Sequence, residues 1–321
     1  MTKRYVGIDL GGTNLKLGLV AADGSPIQRQ TTPTQADRGP DHVIHRMAQA
    51  VRRLADAAGV RTSDVSAVGI GAPGPLDTRD GKVVFAPNLP GWRNIPVRDR
   101  LAQALDLPAV LENDANAAAY GEFRCGAGRG TNDMVMLTLG TGVGGGIILG
   151  GRLFRGKTDT GAELGHLVIN RGGRRCGCGN RGCLEAYASA TAVVARTREA
   201  IEAGEASALD PAADMTCKDV FDAAAAADPL AERIVDETAD ALAAGITSIL
   251  HVLNPDMVVL TGGMMGAGDA FLSDIRRRVH ETAFERAWAV CDIRWSTLGG
   301  DAGVLGAALA AEAADRTGIP A

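Results

Sequence analysis

The same pattern is written twice in this chain. Residues 5–20 read YVGIDLGGTNLKLGLV and residues 134–149 read MVMLTLGTGVGGGIIL: an apolar run, a glycine-rich turn, then a second apolar run. Glycine reaches positive φ at little steric cost, so such turns between apolar runs predict β-hairpins. The first hairpin is expected as Tyr5–Leu10 and Leu15–Val20, closing on an Asp23-Gly24 turn. A theme that returns in mid-chain constrains the fold to two related halves, each opening on a hairpin.

The intervening stretches supply the other elements. Val43, Met47, Val51 and Leu54 recur at helical spacing within residues 41–58. VSAVGIGAPGPLD reads as a buried strand running into a Gly/Pro loop, and AVLENDANAAAYGEF as a strand followed by a helix. Residues 185–205 and 230–253 read as helices, the second ending before Asn254-Pro255. Met257–Leu260 reads as a strand leading into TGG, and GGDAGVLGAALAAEAA as a glycine turn and an Ala-rich helix. The alternation predicts an α/β fold.

Two phosphate-loop patterns compete with the hairpin reading. Gly140–Gly145 fits G-x-G-x-x-G, and Gly151–Thr158 fits G-x-x-x-x-G-K-T. Each motif needs a strand before it and a helix after it. The first is followed by GIILGG, a returning strand. The second holds Leu153 and Phe154 inside its loop and leads into the glycine-interrupted DTGAELGHL. The hairpin context is therefore preferred. Glycine hairpins still suit phosphate, because they aim successive backbone N–H groups at an anion. In DLGGTN, Asp9 stands where it can hold a water of a Mg²⁺ shell, and Thr13 and Asn14 where they can donate to phosphate oxygens.

Charge narrows the partners. The chain carries a net charge of −5 with 22% charged residues, without the basic footprint of a nucleic-acid binder. Arg276–Arg278, the densest basic run, reads as a solvated helix face. The N-terminus MTKRYVGIDL enters a strand pattern with no signal-peptide core, and the uncharged run 134–151 holds seven glycines in eighteen residues, unlike a membrane span. The protein is expected to be cytoplasmic.

Asn113 and Asp114 stand at the start of an Ala-rich helix. Either residue type there serves as an N-cap. A carboxylate at that place also serves as a general base in phosphoryl transfer, where positioning dominates. The pattern leaves both readings open.

Of the six cysteines, Cys125, Cys217 and Cys291 are isolated and read as small buried hydrophobes. The others, with His166, give His-x9-Cys-x-Cys-x4-Cys over His166, Cys176, Cys178 and Cys183. Three thiolates and an imidazole form a closed tetrahedral Zn²⁺ set with no open position, so the metal is expected to be structural. Glu163 lies three residues before His166 and Glu185 two after Cys183. A metal joining the two ends of this loop would preset both carboxylates. His166 could bind it with one nitrogen and donate from the other, an arrangement suited to a polyhydroxy ligand.

These residues together resemble the ROK family (repressors, open reading frames and kinases), and within it the bacterial glucokinases. The matching segments are DLGGTN (9–14), GAPGPLD (71–77), APNLPGW (86–92), ENDANAAAYGE (112–122), GTGVGGG (140–146), GAELGH (161–166), CGCGNRGCLEAYAS (176–189) and LTGG (260–263). The resemblance implies the actin/hexokinase-like (ribonuclease H-like) fold of duplicated domains, with two lobes closing over an active site. Residues 1–118 with the C-terminal helix 302–321 would form a small lobe, and 119–301 a large lobe carrying the zinc loop. It implies transfer of the γ-phosphate of ATP to a hexose 6-hydroxyl, with Mg²⁺ and structural Zn²⁺. Asp114 falls on the family's catalytic base. Asn113, Glu163, His166 and Glu185 fall on sugar contacts, with Gly71 and Asn88 in loops of the same pocket. Asp9, Gly11, Gly12, Thr13, Asn14, Gly140, Thr141, Gly142, Gly262 and Gly263 match nucleotide and phosphate positions. Family members are commonly dimers or tetramers.

Ala190 stands where many relatives carry glycine, which implies a local helix variation. The GGTN turn resembles ATP-using rather than polyphosphate-using members. Glucose is the first candidate substrate. Mannose, N-acetylglucosamine and N-acetylmannosamine kinases share the motifs. A sugar-sensing repressor would carry a DNA-binding helix-turn-helix ahead of a hairpin that here begins by residue 5. A nicotinamide enzyme using Gly140–Gly145 is disfavoured by the strand after that turn.

Overall fold

Both hairpins open a five-stranded sheet. The structure is a computed structural model describing residues 3–318. In the first half, β1 (Arg4–Leu10), β2 (Asn14–Ala21) and β3 (Pro26–Pro33) form an antiparallel meander. The helix α1 (Gly39–Ala57) follows, and then β4 (Ala67–Ala72) pairs parallel with β1. A small sheet of β5 (Leu76–Asp77), β6 (Lys82–Phe85) and β7 (Arg93–Ile95) precedes α2 (Val97–Leu105). Next, β8 (Ala109–Asn113) pairs parallel with β4 and runs straight into α3 (Asp114–Cys125). The sheet order is β3-β2-β1-β4-β8.

The second half repeats this plan. Its strands are β9 (Met134–Leu139), β10 (Val143–Leu149), β11 (Arg152–Leu153), β12 (Met257–Thr261) and β13 (Asp292–Trp295), in the order β11-β10-β9-β12-β13. Again a hairpin stands at one side, and β12 pairs parallel with both β9 and β13. The expected duplication is therefore present in the topology. The helices of this half are α4 (Glu185–Ala188), α5 (Ala190–Glu202), α6 (Cys217–Ala225), α7 (Pro229–Leu253), α8 (Gly268–Thr282) and α9 (Glu285–Trp288). The last helix is α10 (Ala302–Thr317).

Two compact units result. One holds the chain up to Gly130, Gly146–Ala162 and the segment from Thr297 onward; the other holds Thr131–Gly145 and Glu163–Ser296. Where the sequence reading divides the chain at 118 and 119, α3 continues unbroken to Cys125 inside the first unit. The helix α10 lies in the first unit, and residues 319–321 of the expected C-terminal segment lie outside the described residues.

The first sheet buries both faces. Val6, Ile8, Leu10, Leu15, Leu17 and Leu19 pack with Val43, Met47, Val51 and Leu54 of α1. Tyr5, Val20, Ala67 and Val110 pack with Leu305, Ala308 and Ala311 of α10. The composition of α10 follows from how closely it lies on that sheet. A Cβ at Gly7 would sit 1.9 Å from the carbonyl oxygen of Val304, and one at Gly69 1.8 Å from that of Ala307. Only glycines facing an alanine-rich helix permit this approach.

Three readings are corrected. The helix expected over 185–205 is two helices, because Ser189 adopts ψ 156° and its hydroxyl accepts from the N–H of Ala192, capping α5. Nor is Arg278 a solvated charge. It is largely buried among Asp236, Asp240 and Asp274, since α8 packs beside α7 there. Of the isolated cysteines only Cys291 is buried; Cys125 and Cys217 are half-buried. Among the described residues no helix is long and apolar enough to cross a membrane.

Candidate active site

The parallel pairings of the first unit align Asp9, Gly71 and Glu112 side by side, with Ala72 opposite Asn113. The carboxyl ends of three strands thereby gather the polar residues along one edge, the usual position of a ligand in such sheets. At Gly71 a Cβ would lie 3.4 Å from the Cβ of Ala117 and 3.8 Å from the Cα of Asp114, so the strand end presses against the start of α3.

At that start the two readings of Asn113-Asp114 separate. Asn113 is the N-cap: its side-chain oxygen accepts from the N–H groups of Ala115 at 3.0 Å and Asn116 at 3.2 Å. Asp114 is the first helical residue, half-buried, with Oδ1 accepting from the N–H of Ala115 at 2.8 Å. Since Asn113 caps the helix, Asp114 is not required for that role. Behind both lies Glu112, 1% exposed, a residue the sequence reading missed. Its Oε1 accepts from the N–H of Asn113 at 3.0 Å and from Nδ2 of Asn116 at 3.1 Å. Its Oε2 accepts from Nε of Arg155 at 2.8 Å and also from Nη2. A glutamate directly after the apolar run Ala109–Leu111, within a strand, was the available signal.

Asp9 is half-buried at the end of β1. Burial raises its pKa, with the nearby Lys16 charge opposing part of the rise. Its carboxylate lies against the first turn of α10, where a Cβ at Gly303 would be 3.6 Å from Cγ. It is an oxygen donor of the kind Mg²⁺ takes, directly or through water. The adjacent turn is held by Thr34, another missed residue, fully buried. Its hydroxyl donates to the carbonyl of Gly11 at 2.6 Å and its N–H to that of Thr13 at 2.8 Å. Thr13 and Asn14 are left exposed. Asn88 packs on the same turn; a Cβ at Gly12 would meet its carbonyl oxygen at 2.9 Å.

The second unit builds the corresponding turn from Gly140, Thr141 and Gly142. The N–H of Ala190 donates to the carbonyl of Gly140 at 2.8 Å, and the Thr191 hydroxyl to that of Thr141 at 2.6 Å. Gly262 has φ 104°, and a Cβ there would lie 2.3 Å from the carbonyl oxygen of Leu139. The Gly262-Gly263 turn thus seats on the end of β9. A cleft of about 410 Å³ opens beside Thr141, lined by Thr191, Val194, Ala195, Arg198 and Met215. The strand β10 occupies the place where the first phosphate-loop motif would need a helix, as the hairpin reading expects, and the segment after the second motif is turn, with only a short 3-10 helix at Leu164–His166.

The metal set comes together in this unit. The ligand atoms of His166, Cys176, Cys178 and Cys183 all lie within 4.8 Å of one another. Cys178 Sγ and Cys183 Sγ are 3.8 Å apart, and Cys176 Sγ is 3.7 Å from His166 Nδ1. Zn–S and Zn–N bonds in a tetrahedron give edges of about 3.5–3.8 Å. These two separations match such edges, so the donor set is compatible with Zn²⁺. Burial raises the pKa of the Cys176 and Cys183 thiols, while backbone hydrogen bonding from Asn180 lowers that of Cys178; a bound cation would favour all three as thiolates.

The other ring nitrogen of His166, Nε2, faces Glu163 Oε2 at 4.0 Å. Glu185 also touches the cluster, with Oε1 3.5 Å from Cys176 Sγ and Oε2 accepting from the N–H of Val143 at 3.0 Å. The cysteine loop thus connects both glutamates, as the spacing anticipates. The candidate residues fall in two sets. Asp9–Asn14, Gly71, Asn88, Asn113 and Asp114 belong to the first unit, and Gly140–Gly142, Glu163, His166, Glu185, Gly262, Gly263 and the cysteines to the second.

The model of the ROK family matches residues 5–314. This chain belongs to the ROK family. It is 40% identical to a glucokinase of Thermotoga maritima over 95% of this chain and 96% of that one. A ROK hexokinase of Thermus thermophilus superposes with a TM-score of 0.88 at 36% identity, covering 98% of this chain and 99% of that one. A ROK family glucokinase of Streptomyces griseus, solved with glucose and AMPPNP, gives 0.77 at 34% identity, covering 97% and 99%. The fold of this ROK protein is accordingly actin/hexokinase-like. Thr34, Thr191 and Glu112 hold the polar segments of this ROK chain in place, although none lies in the glycine motifs themselves.

Proposed function

We infer that this chain is an ATP-dependent glucokinase, transferring the γ-phosphate of ATP to the 6-hydroxyl of glucose. Its kinship with glucokinases and with a glucose-bound ROK structure supports a sugar-phosphorylating enzyme. The observation that supports the mechanism is the division of labour at α3: Asn113 caps the helix, so the Asp114 carboxylate beside it is not needed as the cap. Asp114 accepts the proton from the 6-hydroxyl as that oxygen attacks phosphorus. Asn113, Glu163, His166 and Glu185 orient the sugar hydroxyls, with Gly71 and Asn88 shaping the nearby loops.

The glycine turns at Gly11–Asn14, Gly140–Gly142 and Gly262-Gly263 receive the nucleotide through backbone N–H groups. The cleft beside Thr141 suits the nucleoside in size and in its mixed lining. Asp9 holds Mg²⁺ through its shell, and bound Mg²⁺ neutralises charge on the phosphates. Zn²⁺ on His166, Cys176, Cys178 and Cys183 stiffens the loop that carries Glu163 and Glu185, and takes no part in the chemistry. The enzyme acts in the cytoplasm as a homodimer or homotetramer.

An ADP-release assay over glucose, mannose, N-acetylglucosamine and N-acetylmannosamine, run with ATP and with polyphosphate, tests this reading. The highest kcat/KM belongs to glucose with ATP. A preference for an N-acetylated hexose or for polyphosphate overturns it.

A further inference from the structure

A second cleft, of about 490 Å³, lies wholly within the first unit, between the β10–β11 turn and α10. Its walls include Arg152, Arg155 and Arg316, with Tyr120, Leu153 and Ala313 supplying an apolar strip. Arg152 is exposed, and among the described residues its side chain makes no ion pair or hydrogen bond. Arg316 reaches Glu312 with Nε at 3.3 Å from Oε1, while Arg124 takes the other oxygen of the same glutamate at 3.2 Å and donates to the Tyr120 hydroxyl at 3.0 Å. Asp315, the nearest other acid on α10, is turned to Lys3 and Tyr5. Four arginines are therefore balanced by two glutamates, Glu112 and Glu312.

The C-terminal end of α10 opposes an anion here, but that field falls off within one turn and is weak at an exposed end. An excess of guanidinium groups converging on one cleft outweighs it, because arginine binds phosphate through paired, charge-assisted hydrogen bonds. The volume exceeds what bare phosphate needs, and the apolar strip suits the face of a sugar ring.

One of these arginines also reaches the catalytic region. Arg155 lines the cleft and is the partner of Glu112, whose carboxylate fastens the N–H of Asn113 next to Asp114. We propose that this cleft is a regulatory site for a phosphate monoester of hexose-phosphate size, whose binding draws Arg155 from Glu112 and lowers turnover. The turnover arm rests on the proposed kinase activity; the binding arm does not, so their failures are separable.

The test uses the full chain saturated with glucose and a non-hydrolysable ATP analogue, titrated calorimetrically with glucose 6-phosphate and, separately, with inorganic phosphate. One site is expected, tighter for the sugar phosphate. Arg152→Ala and Arg316→Ala should each weaken it by about tenfold or more, the loss of one charge-assisted contact, while kcat without added anion stays at the wild-type value. In the wild type, glucose 6-phosphate should lower kcat at saturating glucose and ATP, and both variants should lose this inhibition. The proposal is overturned by no binding to the saturated protein, by equal binding in both variants, by equal affinity for inorganic phosphate, or by an unchanged kcat.

Discussion

Glu185 Oε2 accepts a hydrogen bond from the backbone N–H of Val143 at 3.0 Å, one residue beyond the turn of the second hairpin. A Cβ at Gly142 would stand 2.4 Å from that same oxygen. Gly142→Ala should therefore displace the carboxylate while leaving the hairpin folded. A displacement of about 1 Å at a substrate contact costs up to about 100-fold. The expected outcome is a raised sugar KM with Tm unchanged, measured by steady-state kinetics and thermal unfolding; an unchanged KM removes Glu185 from the sugar contacts.

Asp114→Asn preserves the shape of the side chain and the Asn113 cap but cannot accept the proton. General-base catalysis contributes about 10²–10⁴-fold, so kcat should fall by that order while glucose still binds. Calorimetric glucose affinity alongside kcat distinguishes a lost base from a damaged pocket.

Cys178→Ser removes one of four donors from the cluster formed with His166, Cys176 and Cys183. Metal content measured by elemental analysis should fall, Tm should drop by about 5–10 °C, and sugar KM should rise because Glu163 and Glu185 flank the loosened loop. Loss of metal with an unchanged KM would separate the metal from the sugar site.

Arg155→Met leaves the Glu112 carboxylate buried without its guanidinium partner. Breaking a buried pair on one side costs about 3–5 kcal/mol. The single variant should lose several degrees in Tm together with turnover, and the double variant Glu112→Gln/Arg155→Met should recover much of the Tm. A single variant as stable as the wild type would show that the pair contributes nothing.

Asp9 carries a raised pKa, with burial as its main cause. Between 3.8, its ordinary value, and the higher folded-state value, the folded protein binds more protons than the unfolded chain. The charged carboxylate thus costs stability above that window, and the cost disappears as pH falls through it. Asp9→Asn should raise Tm at neutral pH, with a gain that shrinks on acidification, while the KM for ATP rises. A neutral-pH Tm below that of the wild type contradicts this account.

The turns and the cysteine cluster are legible in the sequence because their signals are local. The hairpins follow from glycines between apolar runs, and the cysteine set follows from donor types at short spacing. Even the two meanings of Asn113-Asp114 were visible as alternatives, although only the hydrogen bonds from Ala115 and Asn116 to Asn113 assign the cap. The missed residues act at long range. Thr34, just past the end of β3, holds Gly11 and Thr13 some twenty residues earlier, and Arg155 pairs with Glu112 from a distant loop.

By itself, the sequence determined the strand–turn–strand duplication, the grouping of one histidine with three cysteines and the identity of the polar residues at the strand ends, since each depends on neighbours a few positions apart. Only the tertiary structure decided that α10 packs on Gly7 and Gly69, that Ser189 divides the 185–205 helix, and that Glu112 is held by Arg155. The physical reason is that close backbone approach and the pairing of a buried charge depend on which distant segments meet, and periodicity along a chain carries no record of that.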